Sequence, residues 1–222
     1  MISLNTIQVP IQDALSEIEK LKNDFFVSKK YPFFIGEVRD FEAFKEINDA
    51  ETDEIVLQSN NLIIQDWFKE RETEIKEDWF NYEEILGVWG EPESEPKVLP
   101  CLLEEASKTQ TQNIYIGFAN ISEAWMLPAF LRYGDWNECP SANIHCSIMR
   151  YWQGKYGAEI ISISDDVIEC TVRNPPKTQE ESMELAWEQY LYCADIVEQG
   201  TQTLSTLGSE LLNSNLWFFW WD

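Results

Sequence analysis

The run Leu216-Trp217-Phe218-Phe219-Trp220-Trp221-Asp222 constrains this chain more than any other stretch. An extended strand points successive side chains to opposite faces. One face would carry Leu216, Phe218 and Trp220, and the other Trp217, Phe219 and Trp221. Both faces are apolar, the pattern of a strand covered on two sides. The run therefore predicts a central strand of a sheet clamped between layers built by everything upstream. Its alternative is an aromatic patch that waits for a partner, because bare aromatic strands aggregate.

Upstream, the order of elements suits such a sheet. Apolar spacing from Pro10 to Phe26 predicts an amphipathic helix with proline at its start, and Tyr31–Gly36 a strand. Asp40 is placed to cap a helix through Ile47, Asn48–Glu54 reads as an acidic loop, and Asn60–Phe80 as a further helix. Asn113–Ala119 reads as a buried strand, and Ser122–Leu131 as a helix limited by Pro128. Ser141 opens a helix that Gly157 ends. Two β-rich runs, Ala158–Ser164 and Val167–Val172, flank Asp165-Asp166 as a hairpin. Thr178-Gln179-Glu180-Glu181 is a capping box for a helix to about Val197, and Leu204, Leu207 and Leu211 mark a shorter one. The fold class expected is α/β (α+β), a mixed β-sheet with the C-terminal strand at its centre and helices covering it.

Glu91-Pro92-Glu93-Ser94-Glu95-Pro96 reads as a linker, since proline and like charges oppose packing. It divides the chain into an N-terminal α/β segment (1–90), a linker (91–97) and a C-terminal core (98–222), with the two halves free to pack as one domain. No internal repeat crosses the break.

Charge narrows the partners. There are 40 Asp plus Glu against 16 Lys plus Arg, a formal net of −24. Such a surface repels phosphate backbones and anionic membranes, and attracts a basic protein. Plain solubility is the simpler reading of the same charge. Five widely spaced cysteines with no C-x-x-C predict reduced thiols and a cytoplasmic location. No basic-then-apolar leader and no membrane-length apolar run is present in the sequence.

Four ordered motifs carry a resemblance. They are Leu131-Arg132-Tyr133-Gly134-x-Trp136-Asn137-x-Cys139-Pro140, His145-x-x-x-Met149-Arg150-x-Trp152-x-x-x-Tyr156-Gly157-Ala158-Glu159, Tyr190-x-x-Cys193-x-Asp195-Ile196-Val197-x-Gln199-Gly200, and Trp217 to Asp222. Together, over roughly 128–222, they resemble the bacterial domain-of-unknown-function family 4253. The first half resembles it loosely, in Gly36-Glu37 and Asp66-Trp67. The resemblance implies a cytosolic bacterial protein and brings no established activity.

Candidate site residues follow from chemistry. His145 is the chain's one histidine, on the helical side of Met149 and Trp152, and reads either as a general base or as a packed core residue. Glu159 shares its strand face with Ile161 and Ile163, which would turn a carboxylate inward; a strand end in solvent is the alternative. Trp136, Asn137, Trp152, Tyr156, Tyr190, Asp195 and Gln199 form the candidate binding set, with Asp195 and Gln199 an i,i+4 polar pair that would bind a ligand or pin the turn at Gly200. Cys139, His145 and Cys146 lack metal spacing and a fourth ligand, so no metal is expected. Phosphate-loop, dinucleotide, zincin and nucleophile-elbow motifs are absent, and no cofactor is expected.

Three functional readings result. The first is a non-catalytic protein-binding module, an immunity-type inhibitor or adaptor for a basic partner. The second is a cofactor-independent enzyme acting on a small polar substrate, with His145 and Glu159 as acid and base and Tyr156, Tyr190 and Asp195 as orienting groups. The third is a structural subunit whose terminal strand pairs with another copy.

Overall fold

The computed structural model describes residues 4–35, 49–77, 82–90, 100, 103 and 112–222. The Gly36-Glu37 strand end, the Asp40–Ile47 helix, the linker at 91–97 and Cys101 lie outside them.

The described chain forms β1 (Asn5–Pro10), a 3₁₀ turn (Ile11–Asp13), α1 (Ala14–Ser28) and β2 (Tyr31–Ile35). Next come α2 (Asp49–Asn61), α3 (Ile64–Glu77), α4 (Tyr82–Leu86) and β3 (Asn113–Ala119). A 3₁₀ turn (Ala124–Met126), α5 (Leu127–Leu131), α6 (Ala142–Tyr156), β4 (Ala158–Ile163) and β5 (Val167–Val172) follow. The chain closes with α7 (Gln179–Tyr192), a π-helical turn (Ile196–Thr201), α8 (Leu204–Leu211) and β6 (Leu216–Trp220).

The six strands lie in the order β1-β3-β2-β4-β5-β6. Only β2 and β4 pair in parallel among them. Strands from both sides of the 91–97 segment therefore share one sheet, a mixed α+β architecture with helices around it.

The strand expected at the centre is at the edge: β6 ends the sheet order and pairs with β5. Its two apolar faces are also unequal, with Trp217, Phe219 and Trp221 buried and Leu216, Phe218 and Trp220 half-buried. Side chains meet three backbone groups along and just beyond its open side. Ser214 Oγ donates to the Leu216 carbonyl, Cys193 Sγ donates to the Trp220 carbonyl, and the Asp222 N–H donates to Asp195 Oδ2. Edge strands need such blunting against intermolecular pairing.

Each sheet face has its own core. On one lie Phe33, Ile35, Ile160, Ile163, Ile168, Cys170, Trp217 and Phe219, covered by α5, α6, α7 and α8. On the other, Val9, Phe34, Ile114, Ile116 and Ile161 pack on Ala14 and Ile18 of α1.

Several helix ends follow from named residues. Thr178 and Glu181 form the capping box, with reciprocal bonds of 3.2 and 3.3 Å. Gly157 takes the left-handed conformation and donates to the Gln153 carbonyl at 2.9 Å, closing α6. Pro128 falls in the first turn of α5, where its missing N–H is no loss, instead of limiting a longer helix. The acidic stretch expected as a loop is the start of α2, because carboxylates near a helix N-terminus are favoured by its dipole. The single helix expected over 60–80 is broken at Leu62-Ile63, which turns the chain into α3.

Candidate functional site

Two places along α6 concentrate polar chemistry, one sealed and one open.

The sealed place surrounds His145. The turn after α5 carries positive φ at Arg132, Gly134, Asp135 and Asn137, and this folds it over α6. Gly134 (φ +99°) is needed there, because a Cβ would stand 1.9 Å from the Pro140 carbonyl and 2.8 Å from His145 Nε2. His145 has no exposed surface. Its Nδ1 lies 2.6 Å from the Tyr192 hydroxyl and its Nε2 3.4 Å from Cys139 Sγ. The rings of Tyr133, Tyr192 and Trp221 stand edge-on to it at 5.2, 5.4 and 5.3 Å. Burial lowers its pKa to about 3, with a hydrogen bond to the Pro140 carbonyl opposing. The imidazole is thus neutral near pH 7.

The four described thiols are buried as well. Burial drives Cys139 and Cys170 well above the ordinary range, and Cys146 and Cys193 up to about 12. A thiol nucleophile needs the opposite shift. The hydroxyl of Tyr133 and the indole N–H of Trp221 find no hydrogen-bond partner among the described residues, so ring packing places them. No three His, Cys, Asp or Glu side chains among the described residues converge as metal ligands.

Glu159 belongs elsewhere. A bulge between Ile160 and Ser162 shifts the register of β4, so Glu159 shares its face with Ile161 but not with Ile163, which joins the opposite core. Its carboxylate accepts from Lys22 at 3.4 Å and Arg173 at 3.3 Å, on the α1 side of the sheet. His145 and Glu159 are therefore on opposite faces and do not converge.

The candidate binding residues divide into three groups. Asn137 Nδ2 donates to the Asp222 carbonyl at 2.8 Å, and Asp195 accepts from the Asp222 N–H at 3.1 Å and from Gln199 Nε2 at 2.9 Å. These three converge, but on the chain's own backbone. Trp152, Tyr156 and Tyr190 are buried. Trp152 stacks on Phe219 at 5.5 Å and donates to Glu188 Oε2 at 2.9 Å, while Tyr190 donates to Glu198 at 2.9 Å. Trp136 is half-buried against Tyr133, with ring centroids 4.9 Å apart.

The open place is a groove of about 650 Å³ between α6 and the α2–α3 corner. Its α6 wall is Ser147, Arg150, Tyr151, Gly154 and Lys155; its other wall is Leu62, Ile63, Ile64 and Gln65. Sequence reasoning assigned no role to this α6 face. Its signal was available, since positions 147, 150, 151, 154 and 155 fall on one helical stripe. What the sequence could not supply was the apolar wall, brought from a distant part of the chain by the turn at Leu62-Ile63.

The molecule is thus a mixed α+β protein in which His145 and the four described thiols are buried, while Arg150 and Lys155 line an open groove. Residues 115–222 match the domain of unknown function DUF4253, a segment that opens within β3. No curated protein and no solved structure matches the chain.

Proposed function

We propose that this protein is a non-catalytic binding module of the bacterial cytoplasm, whose acidic surface engages a basic protein as an immunity-type inhibitor or adaptor does. The observation carrying this reading is how its ionisable groups are distributed. The net charge is −24, and exposed carboxylates stud the outer helices: Glu19 and Asp24 on α1, Asp53 and Glu54 on α2, Glu70 and Glu77 on α3, Glu180 and Glu184 on α7. Among the described residues, His145 and four free cysteines are buried. Those free thiols also favour a reducing compartment. Clustered surface charge steers encounter with an oppositely charged partner and weakens with salt.

The test is recovery of partners on the tagged full chain from native lysate at low and high salt, followed by calorimetry with the purified partner. The reading expects one basic protein at 1:1 stoichiometry, with affinity falling steeply as salt rises. Binding that ignores salt, or no stoichiometric partner at low salt, contradicts it.

A further inference from the structure

The α6 groove runs against the charge of the whole molecule. Acids outnumber bases 40 to 16 in this chain, yet the described lining holds Arg150 and Lys155 and no Asp or Glu. Lys155 is neutralised by Glu188 at 3.2 Å. Arg150 meets no carboxylate among the described residues: its guanidinium donates to Asn60 Oδ1 and, at 3.0 Å, to the Ser59 carbonyl, and lies over the Trp125 ring at 5.3 Å. All of these partners are uncharged. They fix the side chain in place and leave N–H donors and a full positive charge for something else.

Two further features suit a ligand. Ile63, on the apolar wall, is 63% exposed, and burial of such a side chain is favourable. Gly154, on the α6 wall, has an unremarkable helical backbone, and a Cβ built there would meet nothing within 4 Å. Neither backbone conformation nor close packing requires glycine at this position, and its effect is to keep the groove open. The volume lies within the range of small-molecule sites.

From these observations we infer that the groove binds a small amphipathic monocarboxylate, with its carboxylate on the Arg150 fork and its apolar body along Leu62, Ile63 and Ile64. One uncompensated cation matches one negative charge. A phosphate dianion would meet the repulsion of the −24 chain with half the local compensation it needs.

Octanoate is the probe, titrated into the full chain by calorimetry, with 1-octanol and inorganic phosphate as controls. The expected result is saturable 1:1 binding of octanoate, with octanol and phosphate far weaker. Arg150→Gln weakens octanoate by about tenfold or more, the effect of losing a charge-assisted hydrogen bond, and Arg150→Lys by less. Gly154→Phe fills the groove from a position with free space around it, so it abolishes binding in a protein whose unfolding midpoint is retained. The inference is overturned by wild-type protein that shows no saturable octanoate binding. It is also overturned by octanol binding equally well, by phosphate binding in preference, or by octanoate affinity unchanged in Arg150→Gln and Gly154→Phe.

Discussion

The cage around His145 and the groove around Arg150 sit on the same helix and are built on opposite rules. In the cage, an ionisable side chain is stripped of water, ringed by aromatic edges and held neutral. In the groove, a cation is braced by neutral partners and keeps its charge facing solvent space. The glycines repeat the contrast: Gly134 is packed so tightly that a Cβ would overlap Pro140 and His145, whereas Gly154 has nothing beside it. Residue type alone is therefore a poor guide to a site. Histidine, the usual suspect, serves packing here, and the accessible cation is the better place to look for a ligand.

Substitutions separate the sealed cage from the open groove, most strongly at the buried Trp152. Trp152 is fully buried, stacked on Phe219 and bonded to Glu188, so Trp152→Ala is expected to cost about 3–5 kcal/mol in denaturant unfolding. A loss below about 1 kcal/mol would mean that the sealed core is loose and the contrast illusory.

Acid is the next lever. The folded value for His145, about 3, lies below its ordinary 6.5, so the unfolded chain takes up the proton first. Stability from this group is full above pH 6.5 and falls by up to about 1.4 kcal/mol per pH unit on the way down toward 3. Unfolding midpoints measured across that window should show a slope in the wild type that is reduced in His145→Gln.

Gly134→Ala should lose about 1–3 kcal/mol or more, from left-handed strain and overlap, whereas Gly154→Ala should gain up to about 1 kcal/mol. Equal signs for the two glycines would undo the distinction between sealed and open. Inside the cage the hydroxyls should differ as well. Tyr192→Phe orphans His145 Nδ1 and costs about 1–3 kcal/mol, while Tyr133→Phe removes a hydroxyl without a described partner and should be neutral or slightly stabilising by thermal unfolding.

Local signals carried much of the fold. The Thr178–Glu181 capping box, the Asp165-Asp166 hairpin, the Gly157 stop and the β3 run each specify their element within a few residues. The features missed depend on distant partners. β1 is a short, mostly exposed strand whose identity comes from pairing with β3, more than 100 residues on. The edge position of β6 is likewise decided by which strand it meets, since alternation shows which faces are apolar but not how many neighbours a strand has. One extra residue at Ile161 was enough to move Ile163 to the other face from Glu159. At the site, the packed reading of His145 was open to sequence reasoning, because its helix face was apolar. The groove was not, because half of it comes from the corner between α2 and α3.

The chain has one histidine, so its imidazole can be observed without ambiguity by nitrogen-15 NMR through a pH titration. A sealed cage gives a neutral ring with a single tautomer and no titration step from pH 8 down to 5. A step near 6.5 would mean that the ring reaches solvent, and the division between a sealed interior and a functional surface would fail.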